Sequence, residues 1–228
     1  MKNLILALAL TLSTLSFIGC DDEVTPVAPN TLPTNSLVKV VHASPDAPGV
    51  DLLVDNTIAG TNLTYPNNTG YQTLSSGTRN VKVNVTGTSA TVIEANIDFI
   101  QDKNYSLFAV NSVANIEAIL IEDDLTAPDQ GKTHVRFIHL SPDAPAVDVT
   151  LTDGTVVFGN KSFKEYTAFT PLDAGSYDLE VRVAGTTTVA LDLPVISFEA
   201  GKIYTVFAKG FLNGNAQQQL GAELIENK

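Results

Sequence analysis

The sequence predicts an all-β protein made of two tandem immunoglobulin-like sandwiches, each with seven antiparallel strands. Three observations support this: a ten-residue segment recurs, apolar and polar residues alternate along the chain, and no window between residues 37 and 228 shows apolar residues at helical spacing for three turns. The segment from His42 to Asp51, HASPDAPGVD, returns from His139 to Asp148 as HLSPDAPAVD. A spacing close to one domain length indicates a duplicated domain rather than a short solenoid repeat.

The N-terminus resembles a bacterial lipoprotein signal. Lys2 precedes an apolar stretch too short to span a membrane, and a small residue, Gly19, precedes Cys20, the only cysteine among the 228 residues. We expect residues 1–19 to be removed and Cys20 to carry the lipid anchor at the mature N-terminus. The alternative is an ordinary secretory signal with a chance cysteine.

The residues after Cys20 predict a flexible stalk and localisation to the cell envelope. Residues 20–36 hold three prolines among Thr and Asn, so they form neither helix nor sheet. Residues 21–23 are acidic. In Bacteroidota such a run resembles a surface-export cue, whereas in enteric bacteria Asp after the cysteine resembles an inner-membrane retention signal. We expect the outer membrane and leave surface exposure open.

Composition limits the classes of partner. The chain has 13 Lys and Arg against 25 Asp and Glu, which gives a formal net charge of −12. Nucleic acids and anionic lipid headgroups both require a basic surface, so neither is an expected partner. The membrane is contacted only through the N-terminal lipid, and no cofactor is predicted.

Strands follow from period-two alternation and regularly spaced turn signals. Val81, Val83 and Val85, for example, alternate with polar residues, as in a half-buried strand. The first copy is predicted to form strands at 37–43, 50–55, 70–75, 80–86, 90–99, 104–112 and 116–122. The second is predicted to form them at 134–140, 147–152, 164–172, 176–183, 187–198, 203–211 and 217–226. Seven short strands without helical crossovers favour a sandwich, with a small barrel as the rival.

These strands define the domain boundaries. The first sandwich is predicted at 37–123 and the second at 133–228. Residues 124–132 between them are polar and contain Pro128 and Gly131, which is typical of a linker. A linker of this length permits both hinge motion and tight docking of the two sandwiches.

The recurring segment is predicted to form a structural turn. Ser-Pro-Asp-Ala has the residue preferences of a type I turn, in which the Asp accepts backbone N–H groups. Each histidine shares a strand face with the apolar residues before it, so we expect it at the end of the core face. The predicted structural residues are His42, Ser44, Asp46 and Asp51 in the first copy and His139, Ser141, Asp143 and Asp148 in the second.

Catalytic and metal-binding alternatives are weaker. A serine two residues after a histidine on a strand lies ~6.5–7 Å away, beyond hydrogen-bonding reach, so no catalytic residues are predicted. Metal binding by His42, Asp46 and Asp51 offers only one histidine per site, and Asp123, Asp124 and Asp129 as a calcium site compete with a solvated acidic linker. The prediction is therefore that the chain has no metal site.

The HxSPDAPxVD motif and its preceding strand resemble the bacterial domain of unknown function 4397 family. Further matches are the segments LDAGSY at 172–177 and FEAGKIYTV at 198–206, and the resemblance covers nearly all of residues 37–228. It implies a tandem pair of β-sandwich modules of exported or anchored proteins. It implies no reaction.

Two functions compete, with an enzyme as a third and weakest hypothesis. The first is a non-enzymatic, lipid-anchored envelope protein that acts as an interaction module or scaffold for another envelope protein. The second is a ligand-binding or glycan-binding surface lipoprotein that uses the aromatic residues Tyr65, Tyr71, Tyr166 and Phe169. The absence of Trp weakens the glycan hypothesis, and packing over the sandwich edge is the simpler explanation of these residues.

Overall fold

A computed structural model describes residues 34–228. The predicted signal peptide, Cys20 and the stalk up to residue 33 lie outside the described residues. The described part of the chain consists of strands, loops and a single 3-10 turn at Val113–Asn115, so the predicted all-β fold is confirmed. The first copy has strands β1 Asn35–His42, β2 Val50–Val54, β3 Thr57–Leu63, β4 Asn68–Ser75, β5 Gly77–Val85, β6 Thr91–Phe99, β7 Asn104–Val110 and β8 Glu117–Glu122.

The second copy repeats this order. Its strands are β9 Lys132–His139, β10 Val147–Leu151, β11 Val156–Lys161, β12 Thr170–Asp173, β13 Gly175–Tyr177, β14 Leu179–Val183, β15 Val189–Asp192, β16 Ile196–Phe198, β17 Ile203–Lys209 and β18 Gly221–Glu226. Both copies form one compact unit, Pro33–Lys228.

Each sandwich consists of two four-stranded sheets. In the first copy the sheet orders are β4-β1-β7-β8 and β3-β2-β5-β6, and in the second they are β12-β9-β17-β18 and β11-β10-β14-β15. A short pair, β13-β16, accompanies the second copy. Pairing is antiparallel except between β1 and β7 and between β9 and β17, which run parallel. The prediction of antiparallel strands therefore holds except for one central pair in each copy.

The strand count differs from the predicted seven because β3 and β11 were missed and because two predicted strands of the second copy each divide into two, 176–183 into β13 and β14 and 187–198 into β15 and β16. Strand β3 has no buried residue and includes Gly60, so it lacks the alternation that marks a half-buried strand. The long strand predicted at 187–198 is interrupted between β15 and β16 by Pro194, which has no N–H to donate to a neighbouring strand. The observed strands also include Asn35 and Ser36, which the sequence assigned to the stalk, and Lys132, which it assigned to the linker.

Each sandwich has its own core between its two sheets. The core of the first copy contains Val38, Val40, Val50, Leu52, Val81, Val83, Phe99, Tyr105 and Leu107. That of the second copy contains Val135, Phe137, Val147, Val149, Phe158, Leu179, Val181, Leu193, Phe198, Tyr204, Val206 and Ala208. In both copies the core residues of the central strands alternate with residues that point out of the sandwich, and along most of each strand both sets are buried.

The outward faces of the two central sheets pack against each other. This interdomain interface has an apolar cluster of Val41, Ala43, Phe108, Val110, Ile121, Ile138, Leu140, Phe207 and Ile225, all buried. The rings of Phe108 and Phe207 meet edge to face with centroids 6.2 Å apart. The two sandwiches therefore dock through a shared apolar layer in addition to their separate cores.

Candidate functional site

The histidine of the motif closes the loop that follows the first strand of each copy. His42 and His139 are fully buried on the core face, as predicted. His42 Nε2 donates to the carbonyl oxygen of Pro48 at 3.0 Å, and His139 Nε2 donates to that of Pro145 at 3.0 Å. Burial lowers the pKa of both imidazoles below 6.5, so they are neutral at neutral pH. Because a carbonyl only accepts, the proton of the neutral ring lies on Nε2.

The first aspartate of the motif holds a distant connection, not its own turn. The predicted turns are present at residues 45–46 and 142–143. However, Asp46 Oδ1 accepts from the backbone N–H of Val113 at 2.7 Å, and Asp143 Oδ1 accepts from that of Leu212 at 2.8 Å. The expectation that Asp143 caps the Ser-Pro-Asp-Ala turn is therefore corrected. Asp46 therefore holds the connection between β7 and β8, and Asp143 holds the connection between β17 and β18.

The second aspartate joins a neighbouring strand of its own sheet, β3 or β11, to the turn that follows β5 or β14. Asp51 accepts from the backbone N–H groups of Asn62 at 2.8 Å and Gly87 at 3.2 Å. Asp148 does the same with Asn160 at 2.6 Å and Gly185 at 2.8 Å. The hydrogen bond from Asn62 is the main cause that lowers the pKa of the Asp51 carboxyl.

Gly87 and Gly185 have φ values of 73° and 72°, which glycine adopts without strain. Both copies therefore use the motif in the same way, to connect loops that lie far apart in the sequence.

The motif geometry leaves no catalytic dyad. The Nε2 atoms of both histidines are engaged by prolyl carbonyls, while the hydroxyls of Ser44 and Ser141 are buried and find no partner among residues 34–228. A serine nucleophile requires a hydrogen-bonded base and access to substrate, and neither is present at these positions. Within the described part of the chain, no three His, Cys, Asp or Glu side chains converge on a point where they could hold a metal ion.

A buried polar network crosses the interdomain interface. Asp123, at the end of the first copy, accepts from Ser106 Oγ at 2.6 Å and from the hydroxyl of Tyr71 at 2.5 Å. Arg136 Nη1 of the second copy lies 2.6 Å from Asp123 Oδ1. The carboxylate that the sequence offered as part of a linker calcium site is thus buried and bound by protein donors.

The same network continues into the second copy. Arg136 Nε donates to Thr205 Oγ1 at 2.9 Å, Thr205 donates to Asn227 Oδ1 at 2.8 Å, and Asn227 Nδ2 donates to the Tyr71 hydroxyl at 3.0 Å. On the other side, Lys39 Nζ donates to the carbonyl oxygen of Glu226 at 3.1 Å. Burial lowers the pKa of Lys39 to about 8. Hydrogen-bond donors and acceptors from the two copies therefore pair with one another in this part of the interface.

The four aromatic residues predicted as a binding surface are dispersed. Tyr71 lies under the Lys39 ammonium at 4.4 Å, and Phe169 lies under the Arg136 guanidinium at 4.6 Å, so both belong to the interdomain interface. Tyr166 is 46% exposed. Tyr65 lines a groove where the two copies meet. The four residues do not form one surface, and only Tyr65 among them lines a groove away from the buried network.

The family model for a domain of unknown function, DUF4397, matches residues 36–150 and 150–228. The chain belongs to the DUF4397 family. Strand pairing places the division between the two DUF4397 copies earlier than residue 150, because β9 pairs only with β12 and β17 of the second copy. No curated protein matches the chain.

Two solved structures are similar to this DUF4397 pair. The Bacillus anthracis TIE protein matches at 12% identity and a TM-score of 0.27, covering 85% of this chain and 44% of that chain. A family CBM26 module of Eubacterium rectale Amy13K, solved in complex with maltoheptaose, matches at 9% identity and a TM-score of 0.27, covering 85% and 97%. The chain thus spans less than half the length of the TIE structure. No helix within residues 34–228 is long and apolar enough to cross a membrane.

The groove at Tyr65 lies between loops of both DUF4397 copies and has a volume of about 550 Å³. The first copy contributes the motif loop, through Pro45 and Ala47, together with Tyr65. The second copy contributes the loop between β17 and β18, through Gln217 and Gln218. We call this site the Tyr65 groove. It exists only because the two copies dock.

A second groove, of about 820 Å³, lies beside the buried network. Tyr71, Asp123 and Asn227 line it, together with charged residues of the first copy such as Lys103 and Glu122. Lys103 and Glu122 pair with each other at 2.6 Å. Tyr71 and Asp123 are already bonded to each other within the protein, so neither is free to bind a ligand in this groove.

Sequence reasoning missed the interdomain network, although one signal was present. Alternation along β1 and β9 places Lys39 and Arg136 on the face opposite the core. Val41 and Ile138, two residues further along, share that outward face and are apolar. A strand that is apolar on both faces is buried on both, which indicates that a second layer covers the sheet.

Proposed function

We propose that the protein is a non-enzymatic, lipid-anchored protein of the cell envelope whose two DUF4397 sandwiches act as one rigid interaction module. The observation that carries this proposal is the interdomain interface, with its apolar layer and its buried Asp123–Arg136 pair. Large apolar interfaces oppose relative motion of domains, whereas small polar ones permit it. A rigid pair of this kind presents loops from both copies in a fixed arrangement, as a scaffold or binding protein requires.

The chemistry of the motif supports a role without catalysis. The groups that nucleophilic chemistry would use, His42, His139 and the motif aspartates, are engaged with backbone atoms of the fold. Hydrogen bonds of this type position loops, and the remaining His42 Nδ1 and His139 Nδ1 atoms are buried away from any substrate. We therefore assign the motif to the architecture of the module and place its function on the surfaces that its loops create.

The anchor is the second part of the proposal. Cys20 follows Gly19 at the end of an apolar segment, and residues 20–33 supply a proline-rich spacer before β1. We place the protein at the outer membrane, attached through lipid on Cys20, with the module held away from the bilayer. Its acidic composition keeps the module off anionic headgroups. The expected partner is another envelope protein or a surface glycan.

Membrane fractionation tests the anchor. Wild-type protein expressed in its host is expected to fractionate with the outer membrane and to label with a clickable fatty acid. Cys20→Ser is expected to lose the label and to accumulate as precursor or leave the membrane. A Cys20→Ser protein that still labels and still fractionates with membranes contradicts the proposal.

Small-angle scattering tests the rigid module independently of the anchor. The intact chain is expected to give the pair-distance distribution of one compact two-sandwich particle preceded by a short tail. A bimodal distribution typical of two hinged domains contradicts the rigid-module part and leaves the anchor unaffected.

A ligand-binding role is the second candidate, and the Tyr65 groove is the observation that favours it. The groove combines an aromatic residue with side-chain amides, at a size within the range of ~300–1,000 Å³ that small-molecule sites occupy.

A further inference from the structure

We propose that the Tyr65 groove binds a neutral oligosaccharide. This inference rests on the binding role proposed above and names its ligand class. The groove is bounded on one side by Pro45, Ala47 and Tyr65 of the first copy and on the other by Asn215, Gln217 and Gln218 of the second. It therefore joins an apolar and aromatic wall to a wall of neutral amides.

The amide wall is a folded structure and not a loose insertion. The connection between β7 and β8 covers residues 111–116, whereas its counterpart between β17 and β18 covers residues 210–220. The longer loop is closed by backbone hydrogen bonds from Phe211 N to Gln218 O at 2.7 Å and from Gln218 N to Asn215 O at 2.9 Å. Asp143 of the motif holds it at Leu212.

Two glycines permit the tight path of this loop. A Cβ atom on Gly210 would lie 2.1 Å from the carbonyl oxygen of Gln219, and one on Gly214 would lie 2.4 Å from that of Gln218. Gly210 also has φ of 83°, which L side chains rarely adopt. This backbone path, closed by the hydrogen bonds of Phe211 and Gln218, places the amide side chains along the groove. A preorganised wall reduces the entropy lost when a ligand binds.

The aromatic wall also differs between the copies. Tyr65 lines the groove, while its hydroxyl lies below the surface and finds no hydrogen-bond partner among the described residues. Its ring contacts His42 edge to face, with centroids 6.3 Å apart. In the second copy the corresponding loop carries Phe163, which packs against the apolar cluster of the interdomain interface. The copies therefore diverged here, at a position where packing alone would accept phenylalanine.

The polar groups of the groove match the chemistry of sugars. An amide side chain offers both N–H donors and a carbonyl acceptor, as the vicinal hydroxyls of a sugar do. Lys209 is the one charged residue that lines the groove, and it is neutralised by Glu223 at 2.6 Å. The formal net charge of −12 further disfavours acidic polysaccharides. A neutral ligand with an apolar ring face and hydroxyl edges fits this combination.

An extended peptide fits less well. One way in which an extended peptide binds a sheet protein is to add a strand to a free edge, where a row of backbone N–H and C=O groups is available. The Tyr65 groove is lined by loops, and Pro45 and Pro66 in its wall have no N–H to donate. The observations therefore favour a glycan over a peptide.

Affinity electrophoresis of the purified full-length protein, held in a detergent without sugar groups, tests the proposal. The gels contain starch, xylan, mixed-linkage β-glucan or mannan as neutral probes and polygalacturonate or alginate as acidic probes. At least one neutral polysaccharide is expected to retard the wild type, and titration calorimetry with its oligosaccharide gives the affinity. Gln217→Ala combined with Gln218→Ala, and separately Tyr65→Ala, is expected to weaken binding by about tenfold or more.

Matched variants separate the site from general effects. Tyr65→Phe keeps the ring and is expected to bind within about threefold of the wild type, because the buried hydroxyl is not the contacting group. Tyr166→Ala and Gln101→Ala remove an exposed tyrosine and an exposed glutamine elsewhere and are expected to leave binding unchanged. Thermal melts of every variant exclude loss of fold as the cause of weaker binding.

Four outcomes overturn the proposal. The first is that no neutral polysaccharide retards the protein, and the second is that retardation is equal in the groove variants and the controls. The third is that only acidic polysaccharides bind. The fourth is that a proline-rich peptide, and no sugar, binds in a way that depends on Tyr65. The last result would keep the groove as a site but refute the glycan. None of these results alters membrane fractionation or the scattering profile, so the lipid anchor and the rigid module are tested independently of the glycan site.

Discussion

Arg136 Nη1 lies 2.6 Å from Asp123 Oδ1 across the interdomain interface, with side-chain exposures of 2% and 0%. Lys39 and Arg136 occupy equivalent positions, since Lys39 pairs in register with Ser106 and Arg136 with Thr205. Asp123 and Asn227 follow the last strands of their respective copies. Two buried cations thus face one carboxylate, so the interface between duplicated halves is not symmetric. A buried ion pair is weak evidence for added stability, and we infer that this one specifies a single docking arrangement.

The ion pair gives the first prediction. Asp123→Ala leaves Arg136 buried without its carboxylate, and this is expected to lower the free energy of unfolding by ~3–5 kcal/mol. Denaturant titration of the full chain measures the loss. Asp129→Ala, an exposed acidic residue of the same connection, is the control and is expected to stay within ~0.5 kcal/mol of wild type. A loss for Asp123→Ala as small as that of the control would show that the pair contributes nothing.

Lys39 gives a prediction on pH. Burial lowers its pKa from 10.5 to about 8, and the charges of Asp123, Arg136 and Glu226 modify this shift. At pH values between about 8 and 10.5, the Lys39 amine therefore holds a proton in the unfolded chain but not in the folded protein. The free energy of unfolding is therefore expected to rise as pH increases from 7 to 9.5. Burial raises the pKa of Tyr65 and Tyr71, which reverses the trend at higher pH, so the measurement stops there.

The control for this prediction is Lys39→Met, which keeps most of the side-chain volume and removes the titrating group. Its unfolding free energy is expected to change less with pH than that of wild type over the same range. Equal slopes in the two proteins would assign the pH dependence to other groups and contradict the role of Lys39.

The sequence predicted the tandem sandwiches and the place of the motif histidines because both depend on local patterns. Alternation put His42 on the core face, and Ser-Pro-Asp-Ala predicted the turn. The target of Asp46 was not predictable, because Val113 lies on another connection that only the parallel pairing of β1 and β7 brings near. Nor did the sequence analysis predict the interface, since Lys39 by itself resembles a solvent-facing position and only the apolar Val41 on the same face indicates that a second layer covers it.

The motif aspartates give a prediction on loop order. Asp143→Ala removes the acceptor that holds Leu212, so amide exchange is expected to rise across residues 210–220. Because this hydrogen bond is exposed, the loss of global stability is expected to be modest, at ~0.5–1.5 kcal/mol. Asp46→Ala is the matched variant and is expected to raise exchange at Val113 and its neighbours instead.

Hydrogen exchange with mass spectrometry distinguishes this from capping of the local turn. If Asp143 caps its own turn, exchange rises around residues 141–144 and stays unchanged at 210–220. Thermal melts give a separate test for a metal. For each of the three proteins, the melting curve is expected to be the same with EDTA, with added zinc, calcium or manganese, and with neither. A melting temperature that falls on chelation and recovers with one metal, only when Asp143 is present, would make the motif a metal site.

The last prediction concerns the second sandwich in isolation. A fragment of residues 132–228 retains its own core and is expected to fold with the circular dichroism of a β protein. It also exposes Ile138, Phe207 and Ile225, which the first copy buries in the intact chain. A contiguous apolar face of this kind promotes association, so the fragment is expected to self-associate with rising concentration.

Phe207→Ser is expected to return the fragment to a monomer, yet to destabilise the full chain by ~3–5 kcal/mol, the usual cost of deleting a buried phenylalanine. Analytical ultracentrifugation and denaturation measure the two effects. A fragment that stays monomeric without the substitution would mean that the shared layer contributes little to the folded pair.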